Sequence, residues 1–200
     1  MNLKDVRIGF AVTGSFCTFA KILPSMQKLV DEGAVVQPIF SPVVAREDTR
    51  FFQAEEFARQ VREITGKTIW TTLNAVEPIG PKKLLDIMLV APCTGNTLGK
   101  LACGIIDTPV VMAVKSHLRN ARPVVLAVST NDGLSGSAEN LGMLLNRRHY
   151  YFVPFGQDDP ITKPNSLVAD MSQIPLTCSL ALENRQLQPL LLPKGGGEGH

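Results

Sequence analysis

An almost uninterrupted apolar segment, residues 84–90, runs straight into Ala91-Pro92-Cys93-Thr94-Gly95-Asn96-Thr97-Leu98-Gly99-Lys100-Leu101-Ala102-Cys103-Gly104-Ile105-Ile106-Asp107-Thr108-Pro109. A strand that is apolar along its whole length has to be covered on both faces, as a central strand of a parallel sheet is. The spacing predicts that this strand ends at Pro92 and that a helix occupies residues 96–104. Between them lies a short loop of small hydroxyl and amide side chains. In open α/β sheets ligands sit beyond the carboxyl ends of strands. Thr94, Asn96 and Thr97 bring donors and acceptors to such a place, and the first turn of the new helix adds unpaired N–H groups.

The rest of the chain repeats the alternation. Apolar runs at 6–12, 34–40, 123–128 and 150–153 read as strands, with 68–70 as a brief further one. Phe16, Phe19, Ile22, Met26, Leu29 and Val30 recur at helical spacing, with Pro24 expected to kink or restart that helix. Residues 51–64 form an amphipathic pattern closed by Gly66. Further helices are expected at 109–120, 137–146 and 173–184. Residues 73–81, rich in Pro and Gly, and the stretch beyond Phe155 look irregular. The fold class that follows is α/β. It is a single doubly wound, mostly parallel sheet with helices on both faces (three layers, flavodoxin- or Rossmann-like), plus a C-terminal tail helix. The expected division is an α/β domain at 1–155, a C-terminal extension at 156–190 packing on that domain or on an oligomer interface, and a disordered tail at 191–200. Leu176, Leu180 and Leu182 give the extension more apolar surface than an isolated tail would expose.

Composition removes several function classes. The chain has 200 residues, is 44% hydrophobic and carries a formal net charge of +2, too little to argue for nucleic acid. Cys17, Cys93, Cys103 and Cys178 form no CxxC pair, and His117, His149 and His200 are scattered, so no metal site is expected. No apolar run reaches the ~20 residues of a membrane span. Asp5 follows the first residues at once, which does not suit a signal peptide. A reducing cytoplasm with free thiols is the simplest setting.

Three polar loops fall at strand ends: Thr13-Gly14-Ser15, Ser41, and Thr94-Gly95-Asn96-Thr97. Gly14 permits a tight turn, and Ser15 can cap a helix or donate to a phosphate oxygen. Gly-Ser before a helix, or Asn at a helix start, also serves as an ordinary N-cap. The loop is neither G-x-G-x-x-G nor a Walker A sequence. Cys93 has no neighbouring His and reads as a packed or site-lining thiol. Cys17 and Cys103 read as core, and His117, near a helix end with Lys115 and Arg119, as a surface cation on the macrodipole.

Gly14-Ser15-Phe16, the run from Ala91-Pro92 to Pro109 and the strand ending at Asn131 resemble the flavoprotein family of homo-oligomeric flavin-containing cysteine decarboxylases, over residues 5–155. Members read Ala-Pro-x-x-Ala-Asn-Thr, then a helix, then Gly-Ile-x-Asp. Gly95 replaces the Ala here, while Asn96, Thr97, Gly104, Ile105 and Asp107 fit. The resemblance implies an FMN site. Gly14, Ser15, Phe16 and Ser41 would hold the phosphate and ribityl end. Thr94, Asn96 and Thr97 would face the flavin or substrate, and Asn131 would lie on the substrate side. Asn96 and Asn131 are the candidates for catalysis. It also implies a homo-oligomer, a trimer or a multiple of trimers. Two departures argue against decarboxylation: residues 76–80 lack the family's catalytic His, and Pro-x-Met-Asn is reduced to Asn131. A closer resemblance runs nearly end to end, through Glu77-Pro78-Ile79-Gly80-Pro81-Lys82-Lys83, residues 129–133, 151–160 and 163–170, to a family of sporulation-associated subunits. It implies cytoplasmic work in the mother cell beside a nicotinamide-dependent partner that carries NADPH or NADP. The pair would oxidise a dihydrodipicolinate-type intermediate of the lysine pathway to pyridine-2,6-dicarboxylate. The alternatives left open are a non-catalytic scaffold with a relic flavin site, and an independent FMN-dependent decarboxylase or prenyltransferase.

Overall fold

A computed structural model describes residues 3–192. The first half alternates β1 (Arg7–Val12), α1 (Phe19–Asp31), β2 (Val35–Phe40), α2 (Pro42–Arg46), α3 (Ala54–Thr65), α4 (Leu73–Val76) and β3 (Ile87–Cys93). It continues through α5 (Gly95–Cys103), α6 (Pro109–Leu118), β4 (Val124–Thr130), α7 (Ala138–Leu145), β5 (Tyr150–Phe152), β6 (Phe155–Asp159), β7 (Lys163–Ala169) and α8 (Ile174–Leu182). Of the disordered tail expected at 191–200, Leu191 and Leu192 are instead paired with Phe155, and residues 193–200 lie outside the described residues.

Five strands run parallel in the order β2-β1-β3-β4-β5, with Ile8 opposite both Val36 and Ile87 and Leu89 opposite Val125. Every residue of β3 is buried, as its unbroken apolar run requires. One face is covered by α1 and α8, with α3 leaning on α1 and β2, and the other by α6 and α7. The order reverses direction between β1 and β3, and this switch point is where an open sheet of this type binds its ligand.

Several boundaries depart from the sequence pattern. β3 continues through Pro92 to Cys93, and the helix starts at Gly95 because Thr94 caps it, its Oγ1 accepting from Thr97 N. α1 passes through Pro24 without a break; Pro24 is on the exposed side, where water can serve the carbonyl it leaves unpaired. Residues 68–70 shrink to a single bridge from Trp70 to Ile39. Phe51 and Phe52 stay outside α3 because Thr49 Oγ1 accepts from both their N–H groups and Asp48 Oδ1 takes the Ala54 N–H. Phe52 instead joins Phe19, Phe40 and Phe57 in an aromatic cluster.

The largest difference lies beyond Phe155. There β6 and β7 form an antiparallel hairpin, and β7 pairs with the carboxyl end of β4, Ser129 opposite Val168 and Thr130 opposite Leu167. β5 accompanies only the first half of β4, so β7 takes the place it vacates. Asp159 turns the hairpin by accepting at Oδ1 from Ile161 N and Thr162 N, both at 3.0 Å. The chain after α8 returns to the sheet. Gln186 grips β5, accepting from Phe152 N at 2.8 Å and donating to Phe152 O at 2.7 Å, and Leu190 and Leu192 pair with Phe155.

His117 is not at the surface. It is 1% exposed, sharing the inner face of α6 with Val110 and Val114, and its Nε2 donates to Pro123 O at 3.1 Å. Nor are Cys17 and Cys103 core residues. Both are exposed, since Cys17 lies in a 3-10 turn (Phe16–Thr18) that shifts the helical phase, and Cys103 ends α5.

Candidate functional site

The loops after β1, β3 and β4 meet at the carboxyl edge of the sheet. Thr13, at the end of β1, ties two of them together: its Oγ1 donates to Pro92 O at 2.7 Å and accepts from Thr94 N at 3.1 Å. Ser15 does not cap a helix with its side chain. Its hydroxyl instead reaches over the β3 end to Ser129 Oγ, 2.8 Å away. β1, β3 and β4 are thus bound into one rim. Above it opens a cleft of about 790 Å³, lined by Gly14, Ser15, Phe16, Thr94, Asn96 and Asn131 among others.

Ser41 and Thr97 line a second, adjoining cleft of about 450 Å³, which shares Gly14, Thr94 and Asn96 with the first. The expected residues therefore gather at one edge of the sheet but divide between two clefts. Asn96 and Asn131 are exposed, while Thr97 is buried and its Oγ1 lies 3.0 Å from Thr94 Oγ1. Ser41 is 7% exposed, and its buried Oγ has no hydrogen-bond partner among the described residues. A buried hydroxyl without a partner is uncommon enough to mark a place for a ligand atom.

Periodicity gave no sign of the other walls of the larger cleft. Arg50 and Phe51 come from the loop before α3, with the guanidinium 4.8 Å from the centre of the Phe51 ring. Asp158, Lys163, Ser166 and Val168 come from the β6–β7 hairpin. Lys163 Nζ lies 2.8 Å from Asp158 Oδ2, and that carboxylate raises the pKa of the ammonium. The Asp159-Pro160 dipeptide between two short extended runs is the signal that could have located the hairpin.

The floor is closed where β4 ends. Thr130 Oγ1 donates to Asp132 Oδ1 at 2.5 Å, directly against the first turn of α5. A Cβ on Gly95 would stand 2.5 Å from Ser137 Oγ, 2.6 Å from Asp132 Oδ1 and 2.7 Å from Thr130 Oγ1. Gly95 is therefore required by the β4 loop that presses on it. An Ala here, as in the pattern this chain resembles, would force these side chains to shift.

The thiols separate cleanly. Cys93 is fully buried and burial pushes its pKa up, and Cys178 is pushed up to about 12 for the same reason. Neither can supply a thiolate nucleophile at neutral pH. A thiol-reagent titration of the folded protein is expected to count Cys17 and Cys103 quickly, and Cys93 and Cys178 only after denaturation; fast labelling of Cys93 would contradict the packing.

The sequence pattern of the flavoprotein family matches residues 1–154. The chain belongs to the flavoprotein family. It is 46% identical over 191 residues to the B subunit of dipicolinate synthase from Bacillus subtilis (strain 168), covering 96% of each chain. The crystal structure of the B subunit of dipicolinate synthase from Bacillus halodurans C superposes with a TM-score of 0.89 at 43% identity, covering 97% of this chain and 100% of that one. The FMN-binding protein AtHal3 shares the fold, with a TM-score of 0.66 at 17% identity over 92% of this chain and 100% of its own. The β6–β7 hairpin lies beyond the residues that match the flavoprotein family.

Proposed function

We propose that this chain acts as the B subunit of a dipicolinate synthase. It works with the A subunit of that synthase, the carrier of NADPH or NADP, to oxidise a dihydrodipicolinate-type intermediate of the lysine pathway to pyridine-2,6-dicarboxylate in the mother cell of a sporulating bacterium. The observation that carries this reading is the 46% identity over nearly the whole chain to a protein of that name. The chemistry of the larger cleft agrees with it. Arg50 and Lys163 offer cations for carboxylates, and Ser15, Asn96, Ser129 and Asn131 offer hydrogen bonds to a small polar ring.

The site fits FMN. The unpartnered Ser41 Oγ calls for an acceptor or donor, and Gly14 keeps the backbone open between the two clefts. In this reading Gly14, Ser15, Phe16 and Ser41 hold the phosphate and ribityl end. Thr94, Asn96 and Thr97 face the ring, and Asn131 lies toward the substrate. FMN, when bound, supplies a two-electron acceptor. The protein orients the dicarboxylate and limits water around it. A homo-oligomer, a trimer or a multiple of trimers, belongs to the same proposal.

An absorbance spectrum of the purified chain, with and without its nicotinamide-dependent partner, tests the cofactor. A flavin spectrum, or tight uptake of added FMN, is the expected result. Ser15→Ala or Asn96→Ala should weaken FMN binding about tenfold, ~1.4 kcal/mol. A colourless protein that takes up no FMN removes the flavin from the proposal.

A second reading, a non-catalytic activator of the nicotinamide-dependent partner, is favoured by one observation. The position of the family's catalytic His falls in a 3-10 turn, Glu77–Ile79, that has none. It requires that the partner by itself keep its nicotinamide-dependent turnover, and that the same two variants leave the complex unchanged. Turnover by this chain without the partner would point to an independent decarboxylase or prenyltransferase.

A further inference from the structure

Cys17, Arg50, Asp132, Asp158 and Lys163 are the titratable or charged side chains lining the larger cleft. Lys163 and Asp158 form an ion pair that leaves the ammonium exposed to the cleft. Arg50 is a permanent cation stacked on Phe51. Asp132 is the carboxylate of this group that makes no ion pair among the described residues. Its Oδ1 accepts from Thr130 Oγ1, and no hydrogen bond from the described residues reaches Oδ2. Its place is fixed by the backbone as well, since Ser135 N and Ser137 N both donate to Asp132 O at 3.0 Å. A carboxylate hydrogen-bonded through one oxygen only, on a residue in the wall of a polar cleft, keeps lone pairs for a proton, as a general base must.

We propose that Asp132 is the proton acceptor of the ring oxidation, a role that rests on the dicarboxylate reading given above. In the N–H tautomer of the dihydropyridine, a ring C–H bond breaks and its electron pair leaves as hydride to a two-electron acceptor, an oxidised flavin or nicotinamide. The ring is left as a protonated pyridine. The N–H bond then breaks, its electron pair stays on nitrogen as the lone pair, and the proton goes to Asp132 Oδ2. Dihydropyridine, oxidised acceptor and carboxylate become pyridine, reduced acceptor and carboxylic acid, so atoms and electrons balance. The charged and titratable groups that share the cleft with Asp132 are Arg50 from the loop before α3, Cys17 from the turn after β1, and Asp158 and Lys163 from the hairpin. Ser137, just before α7, lies with Asp132 against Gly95, and the first turn of α7 carries the exposed Glu139.

The test uses the complex with the nicotinamide-dependent partner for turnover and the purified chain for binding of pyridine-2,6-dicarboxylate by calorimetry. Asp132→Asn is expected to lower turnover at neutral pH at least about 100-fold while leaving pyridine-2,6-dicarboxylate affinity within about threefold. Added formate should partly restore turnover to Asp132→Ala, which a purely structural role does not allow. Unchanged turnover in Asp132→Asn with binding intact overturns the role of Asp132 and leaves the dicarboxylate reading standing. Absence of binding by the wild-type chain overturns both. Failure of formate to restore any turnover to an Asp132→Ala chain that still binds pyridine-2,6-dicarboxylate overturns the base.

Discussion

Replacing Gly95 by alanine is expected to lower the melting temperature by up to about 8 °C, although alanine is the better helix former. The added methyl would lie within 2.7 Å of three oxygens, on Ser137, Asp132 and Thr130. Ser137 can rotate away, but the Thr130 and Asp132 atoms are bonded to each other at 2.5 Å and cannot both yield without breaking that bond. Overpacking of this kind costs about 1–3 kcal/mol, against a helix-propensity gain of up to ~1 kcal/mol, and each net kcal/mol is worth roughly 2–4 °C in a chain of this size. The cycle with Asp132→Ala decides the cause. If the β4 loop is the obstacle, alanine at 95 becomes neutral or stabilising once the carboxylate is gone, a coupling of about 1 kcal/mol or more. Additive losses would mean that the clash lies elsewhere.

Acidification should destabilise the protein through His117 well before the carboxylates titrate. Burial, the leading cause, pushes the His117 pKa down to about 4, with a smaller lowering from Arg122; the bond to Pro123 O and the charge of Asp86 raise it only in part. An unfolded chain binds this proton near pH 6.5, so between about pH 6.5 and 4 the unfolded state holds more protons than the folded one. Stability therefore falls as pH drops through that window, by about 3 kcal/mol in all. His117→Gln should be less stable at neutral pH and should flatten the slope in that window, as measured by urea unfolding at a series of pH values. The Asp86 contribution separates from it. Arg7 holds that carboxyl below its usual 3.8, so its stabilisation is present above that value and declines only in stronger acid. A wild-type slope that persists unchanged in the Gln variant would assign the effect to other groups.

What was legible from residues alone follows from how each side chain is covered. The parallel strands announced themselves because both their faces are buried, and the edge that carries the candidate site followed from where those strands end. Gly14, Ser15, Thr94, Asn96 and Asn131 are backbone neighbours of strand ends, so their gathering could be read from order alone. Arg50 and Lys163 could not, because each reaches the cleft from a segment whose own pattern is polar and half exposed. β6 and β7 hid for the same reason: Gln157, Asp158 and Lys163 face solvent, and no alternation survives. His117 was readable in hindsight, three and seven residues after Val114 and Val110 on one helical face. Its basic neighbours Lys115 and Arg119 pointed to the surface instead. Cys17 shows the limit of extending a helical period backwards, since the 3-10 turn of Phe16–Thr18 precedes the α-helix and turns its side chains differently.

The two flanks of the sheet are closed by short pieces of chain. Trp70 exchanges hydrogen bonds with Pro38 and Phe40 on the β2 side, and the return segment at Leu190 and Leu192 does so with Phe155 on the other. A neighbouring copy that tried to continue the sheet by laying down its own strand would first have to peel one of these pieces away. Assembly of copies is thereby directed to helix faces and to the rim of the cleft, and fibre-like growth through strand addition is blocked at the bonded positions on both flanks.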